Sequence, residues 1–159
     1  MAQTDLWSRA SQRSIPIWLI VIAVVVFGAR IASKQIAEEP SLVKWVPIEQ
    51  ARARANADNK PILYDFTAAW CGPCRTLEHE VFDDPVLAKR INEEFVPVRV
   101  VDRQREDGEN APSVQELQHR YSVGAFPTVV LADASGEPHA KMEGFRGREA
   151  FVELMERVP

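Results

Sequence analysis

Among its 159 residues the chain has two cysteines, three histidines and no excess of basic residues, and each shortage closes off a class of protein. Two cysteines cannot build a framework of several disulfides, so a hydrophobic core must hold the fold without staples. As a zinc half-site the pair would need two more ligands; His79 is the nearest, and there is neither a second Cys-X-X-Cys nor a histidine pair. A c-type haem would want histidine directly after the second cysteine, where Arg75 stands. His79, His119 and His139 have no partners by spacing and read as surface residues. The formal net charge is −4, which suggests no basic face for nucleic acid. No internal repeat or low-complexity tract stands out. With 46% hydrophobic and 26% charged residues, the composition suits one domain with a proper core and argues against disorder.

What the chain does have is both cysteines in one place. Trp70-Cys71-Gly72-Pro73-Cys74 follows the apolar, strand-like run Pro61-Ile62-Leu63-Tyr64-Asp65-Phe66. Two thiols at this spacing suit a reversible dithiol/disulfide: the first attacks a disulfide and the second, one helical turn on, resolves the mixed disulfide. Cys71 is expected at a helix N-terminus, where unpaired N–H groups and the macrodipole favour a thiolate, which makes it the nucleophile. Cys74 is expected to be the more buried, resolving thiol. Pro73 is tolerated early in a helix and limits the loop's conformations, and Gly72 lets a substrate backbone approach. Asp65 lies in an apolar strand, where an unpaired charge is costly, so its pKa is expected to be raised.

The charge is unevenly spread. Residues 1–33 carry a net +2 and residues 34–159 a net −6. Ser14 to Ala29 is a run of sixteen residues without a charge, and the apolar character continues through Arg30 to Ile31 and Ala32. A helix of about 18 residues is about 27 Å long, against a hydrocarbon thickness of about 30 Å, so it spans if Arg30 snorkels. A buried core helix would show a polar face, and a cleaved signal peptide would need small residues at −3 and −1, for which no good site exists. The expected organisation is therefore an N-terminal flank over 1–14, a transmembrane anchor over 15–32, a polar tether over 33–42 and a globular domain over 43–159. Arg9 and Arg13 before the span nearly balance Arg30 and Lys34 after it. The N-terminal amine and Glu38-Glu39 favour the N-terminus inside, which puts the domain on the outer side of a cytoplasmic membrane, periplasmic in a Gram-negative bacterium.

Beyond the tether, helix and strand alternate. Pro47 to Ala57 reads as a helix with proline at its first position, ended by Asn56 to Lys60. Pro61 to Thr67 is a buried strand, Cys71 to about Val81 a helix, and Asp84-Pro85 starts another that reaches about Glu94. Phe95 to Val101 is a strand and Asp102 to Asn110 a charged loop. Ser113 and Glu116 form a capping-box pattern for a helix ending near Tyr121. Thr128 to Ala132 and Glu137 to Glu143 pair across the turn Asp133-Ala134-Ser135-Gly136. Gly147 to Arg157 closes the chain as an amphipathic helix with Phe151, Leu154 and Met155 inward. Trp45 and Phe66 read as core or membrane-interface residues.

Trp70 to Cys74, Asp65 six residues before the first cysteine, Phe126-Pro127-Thr128 before a strand and Gly144 before the last helix together resemble the thioredoxin superfamily, over roughly residues 43–157. Within it, Asn59 to Pro85 looks most like the C-terminal thioredoxin-like domain of the thiol:disulfide interchange protein DsbD. The shared features are Lys60-Pro61 before the strand, Glu78 four positions after the second cysteine, and Val81-Phe82-Asp83-Asp84-Pro85 after the active-site helix. Gly72-Pro73 departs from that domain and is thioredoxin's dipeptide, and the multi-helix electron-carrying part of DsbD is absent from this chain. One anchor helix cannot ferry electrons, so the donor would be a separate membrane thiol protein.

The resemblance implies an α/β fold, a central mixed β-sheet flanked by helices, preceded here by the one transmembrane helix. It implies that Asp65 exchanges the proton of the resolving thiol. Glu78 either shares that work or is a solvated helix glutamate. It implies a cis peptide before Pro127, where without the resemblance an ordinary trans proline at a strand edge would be expected, with Phe126, Pro127 and Thr128 facing the dithiol and Trp70 on the same substrate-contact surface. No cofactor is expected. The Gly-Pro dipeptide resembles a reductant: thioredoxin-like potentials near about −270 mV lie about 150 mV below a strong oxidase, a gap of about 7 kcal/mol. The expected activity is reduction of oxidised extracytoplasmic proteins, with a dithiol oxidase or isomerase, or a redox-inert peptide-docking module, as the alternatives.

Overall fold

In a computed structural model, the structure describes residues 41–158 and, before them, Trp18 alone. The expected flank, the anchor apart from the exposed, helical Trp18, and most of the tether lie outside the described residues. Among the described residues no helix is long and apolar enough to cross a membrane.

The central sheet has four strands in the order β2-β1-β3-β4: β1 (Ile62–Ala68), β2 (Val96–Asp102), β3 (Thr128–Ala132) and β4 (Pro138–Glu143). β1 runs parallel to β2 and antiparallel to β3, and β3 pairs antiparallel with β4, so the sheet is mixed as expected. Strands β1 and β3 are central and buried on both faces, which is why their sequences read as continuous apolar runs.

Side-chain alternation sends Leu63, Val129 and Leu131 to one face, against α2 (Gly72–Leu77), α3 (Pro85–Glu94) and α6 (Arg148–Met155). Leu77, Phe82, Ile91 and Phe151 fill that layer. Ile62, Tyr64, Phe66, Val98 and Val130 point the other way, onto Ala51 and Ala55 of α1 (Ala51–Asp58) and Val114 and Leu117 of α5 (Pro112–Arg120). Phe151, Leu154 and Met155 are buried as the last helix's pattern requires. Phe66 is a core residue, and Trp45, half-buried, packs edge-on to Phe82 against the core with ring centroids 5.0 Å apart.

Several boundaries differ from the sequence reading. Pro47 precedes a 3-10 turn (Ile48–Gln50) and the α-helix proper begins at Ala51, because Val46 is fastened to β2 through its N–H on the Pro97 carbonyl at 2.8 Å. Asn59 ends that helix in the left-handed region at φ 50°. The active-site helix is not uniform: after Leu77 it widens into a π turn over Glu78–Phe82, closed by the Asp83 amide on the Glu78 carbonyl at 2.8 Å. The capping box at Ser113 and Glu116 does not form. Pro112 takes the first helical position, Ala111 stands at the cap, and Ser113 is already inside the helix. The charged loop contains a helical turn, α4 (Gln104–Asp107). Asp84, by contrast, caps α3 through Oδ1, which accepts from the Val86 and Leu87 amides at 3.0 and 2.9 Å.

Candidate active site

Strand β1 ends at Ala68, and the turn Ala69-Trp70 delivers Cys71 to the start of α2, its amide donating to the Ala68 carbonyl at 3.0 Å. Cys71 occupies the N-cap with extended backbone, and its Sγ accepts from the Cys74 amide at 3.1 Å. The two cysteines are joined as a disulfide with Cα atoms 5.3 Å apart. The expected order of burial is not seen. Both are buried, Cys71 3% and Cys74 7% exposed, in one cluster with Ala68 and with Phe126 packed against it. Gly72 and Pro73 are exposed at the head of the helix. A Cβ on Gly72 would meet only the Arg75 Nη2, at 3.9 Å, so the fold itself leaves room there.

The other side of the cleft is built by the segment before β3. The Phe126–Pro127 peptide is cis, and the Gly144 amide donates to the Pro127 carbonyl at 2.8 Å, which brings the β4–α6 connection to the same place. Trp70 is 42% exposed and meets Phe126 edge to face at 5.8 Å. Thr128, expected on the contact surface, is fully buried, and its hydroxyl donates to the Ala125 carbonyl at 2.8 Å. Its side chain braces the loop from inside, where no substrate side chain reaches it.

Asp65 is 2% exposed and shares the face of β1 that carries Leu63, the face packed against the active-site helix. Parallel pairing sets it opposite Arg99 of β2. Arg99 Nε donates to Asp65 Oδ2 at 3.1 Å, while its two terminal nitrogens hold Glu78 Oε1 and Oε2 at 3.3 and 2.5 Å. The guanidinium lies 4.0 Å from the centroid of Trp45 and 5.3 Å from that of Phe82. Burial pushes the Asp65 carboxyl up to about 6, with the Glu78 charge adding to the rise and Arg99 opposing it. Among the described residues, Asp65 Oδ1 is the one buried side-chain polar atom without a hydrogen-bond partner. Glu78 is thus no freely solvated glutamate: its carboxylate is fixed to the same cation that holds Asp65.

Sequence reasoning missed Arg99. Its signal was a lone charge in the strand Val96-Pro97-Val98-Arg99-Val100-Val101, but only strand register shows which acid it meets. An open groove of about 580 Å³ lined by Lys44, Lys60, Asn92 and Val96 lies at the other end of β1 and takes no part in this cleft. Among the described residues no group of three or more histidine, cysteine or acidic side chains is placed to hold a metal ion.

A profile of the thioredoxin-like domain family matches residues 48–159. The chain belongs to the thioredoxin-like family. It is 26% identical over 159 residues to the thiol:disulfide interchange protein DsbD of Salmonella paratyphi A, an alignment covering 89% of this chain and 27% of that protein. The chain therefore spans only about a quarter of that relative's length. Among solved structures it is similar to a DsbH oxidoreductase, with a TM-score of 0.60 and 25% identity over 70% of this chain and 80% of that one. The C-terminal domain of Neisseria meningitidis DsbD in the oxidised form shares the fold, with a TM-score of 0.55 and 22% identity over 68% of this chain and 89% of that one. The Cys-X-X-Cys pair of this thioredoxin-like chain is closed as a disulfide with Phe126 packed against it, and the Phe126–Pro127 peptide is cis, as the resemblance implied.

Proposed function

We propose that this chain is a membrane-anchored thiol:disulfide reductase acting on oxidised extracytoplasmic proteins. The observation that carries the reading is the Cys71–Cys74 pair at the head of α2, with Cys71 Sγ accepting an amide hydrogen bond that favours its ionised form once reduced. In the reduced protein the Cys71 thiolate attacks a substrate disulfide; an S–S bond forms between protein and substrate, and the first substrate sulfur leaves as thiolate and takes a proton. Cys74 then loses its proton and attacks Cys71 Sγ. The mixed disulfide breaks, the Cys71–Cys74 bond forms, and the second substrate thiol is released. The substrate gains two electrons and two protons and the dithiol loses the same.

Asp65 accepts the Cys74 proton, directly or through water, since a carboxyl with a pKa of about 6 exchanges protons near neutrality. Glu78 acts on that carboxyl through Arg99. Trp70, Gly72, Pro73, Phe126 and Pro127 form the surface on which an extended substrate segment lies. The resting disulfide is reduced by a separate membrane thiol protein, in keeping with the likeness to part of DsbD and with the run of apolar residues at 15–32.

Equilibration of the purified chain against glutathione buffers tests the direction. A reductase gives a potential near about −270 mV, and a value near about −120 mV would mark an oxidase instead.

A further inference from the structure

The cleft carries a feature that thiol exchange itself does not require. Arg105, on the single turn α4, lies with its guanidinium carbon 3.6 Å from the centroid of Trp70, the residue next to Cys71. Arg75, next to Cys74, reaches back so that Nη1 donates to the Ala69 carbonyl at 3.3 Å and Nη2 lies over Gly72. Both cations thus touch residues next to the cysteines.

Neither forms an ion pair with a described carboxylate, in a domain of net negative charge. Of the other described arginines, Arg54, Arg90, Arg99, Arg103, Arg120 and Arg148 each hold an aspartate or glutamate, Arg52 donates to the Ser135 carbonyl, and Arg146 and Arg157 form no ion pair. Arg105 makes no hydrogen bond to any described residue, although its own segment is rich in acids. Asp102 is turned inward, accepting from Asn110 Nδ2 at 2.6 Å and Gln118 Nε2 at 2.8 Å; against the effect of burial these hydrogen bonds, and to a smaller extent the Arg105 charge, hold its carboxyl below the ordinary value without an ion pair forming. Asp107 is held by Arg103 at 2.5 Å, and neither Glu106 nor Glu109 pairs with Arg105. Asn110 also accepts from the Arg103 amide at 2.6 Å, so the turn that presents Arg105 is clamped from within. A fixed, stacked guanidinium with open donors beside an exposed indole is built to receive a carboxylate and the chain that carries it.

We infer that Arg105 and Arg75 form a cationic rim that selects partner proteins whose reactive disulfide lies in an acidic, extended segment, with Trp70 as the apolar platform under Arg105. The inference rests on the reductase reading and names its substrate class.

The test uses the full-length chain, reduced beforehand, and three synthetic peptides that share one disulfide but carry Glu, Gln or Lys on both sides of it. Each reduction rate is divided by the same peptide's rate with dithiothreitol, which removes the peptide's own reactivity. The expected order is Glu over Gln over Lys, with about fivefold between the first two at low salt, shrinking as salt is added. Arg75→Gln with Arg105→Gln should bring the Glu-to-Gln ratio to about one, and Arg105→Lys should retain part of it. Equal normalised rates in the parent chain, or a ratio that survives the double substitution, would overturn the cationic rim while leaving thiol exchange intact. No reduction of any peptide would remove the reductase reading and this inference with it.

Discussion

Asp65 and Arg99 face each other across neighbouring parallel strands, with Arg99 Nε 3.1 Å from Asp65 Oδ2 and the second aspartate oxygen left without a partner. A buried acid is thereby kept ionisable by one cation whose other edge is already committed to Glu78. Partial compensation of this kind leaves a carboxyl able to take and release a proton, where full compensation would lock it as an anion.

The first consequence is for stability. The Asp65 carboxyl titrates at about 6 in the folded chain against 3.8 ordinarily, so between about pH 4 and 6 the native state holds a proton the unfolded state has released. Linkage then requires stability to fall as pH rises through that window and to level off above it. Asp65→Asn cannot titrate. It should be more stable than the parent by about 1–3 kcal/mol at pH 7.5, with the gain fading below about pH 4. Urea midpoints at four pH values check this; a difference that does not change with pH would contradict it.

Opposite shifts are expected from the two neighbours. Arg99 lowers the Asp65 pKa and Glu78 raises it. Arg99→Leu should therefore move the proton-transfer step of Cys74 to higher pH, and Arg99→Lys should restore most of the parent profile. Glu78→Gln removes a like charge and frees Arg99 for Asp65, so the profile should move to lower pH. The readout is the pH dependence of thiol alkylation in the reduced protein. Shifts of the same sign in Arg99→Leu and Glu78→Gln would show that the two do not act through Asp65.

Packing holds this arrangement in place. Phe82 is 1% exposed, meets Trp45 at 5.0 Å and Phe151 at 5.9 Å, and forms part of the surface under the Arg99 guanidinium. Phe82→Ala should cost about 3–5 kcal/mol in denaturant unfolding. The same substitution should displace Arg99 and shift the alkylation profile in the direction of Arg99→Leu.

The apolar stretch at 15–32 makes its own prediction. The full-length chain should stay in the membrane pellet after alkaline extraction, and a chain starting at Ser41 should appear in the supernatant. In spheroplasts a membrane-impermeant thiol reagent should label Cys71 after reduction; protection from the reagent would place the domain on the inner side.

Much of this is legible in the amino-acid sequence. The strands announced themselves because β1 and β3 are buried on both faces and so are apolar throughout, and the dithiol followed from two cysteines at one spacing. The cis Phe126–Pro127 peptide came from the resemblance. Sequence could not supply register, which sets Arg99 opposite Asp65, or the packing of the active-site helix on the sheet, which brings Glu78 to the same cation. The capping box failed because Pro112 fits the first helical position and moved the helix start ahead of Ser113. Thr128 was misplaced because its neighbours Phe126 and Pro127 belong to the cleft, whereas strand alternation turns its own side chain inward. Arg105 on Trp70 joins two segments far apart in sequence, and no periodicity reports such a contact.

In the proposed reaction Cys71 attacks and Cys74 resolves. Cys74→Ala, reduced and then mixed with a disulfide-bearing protein, should accumulate a mixed disulfide that mass spectrometry maps to Cys71, while Cys71→Ala should trap none. Failure of Cys74→Ala to trap any partner, or trapping through Cys74 in the Cys71→Ala chain at a comparable rate, would contradict the account.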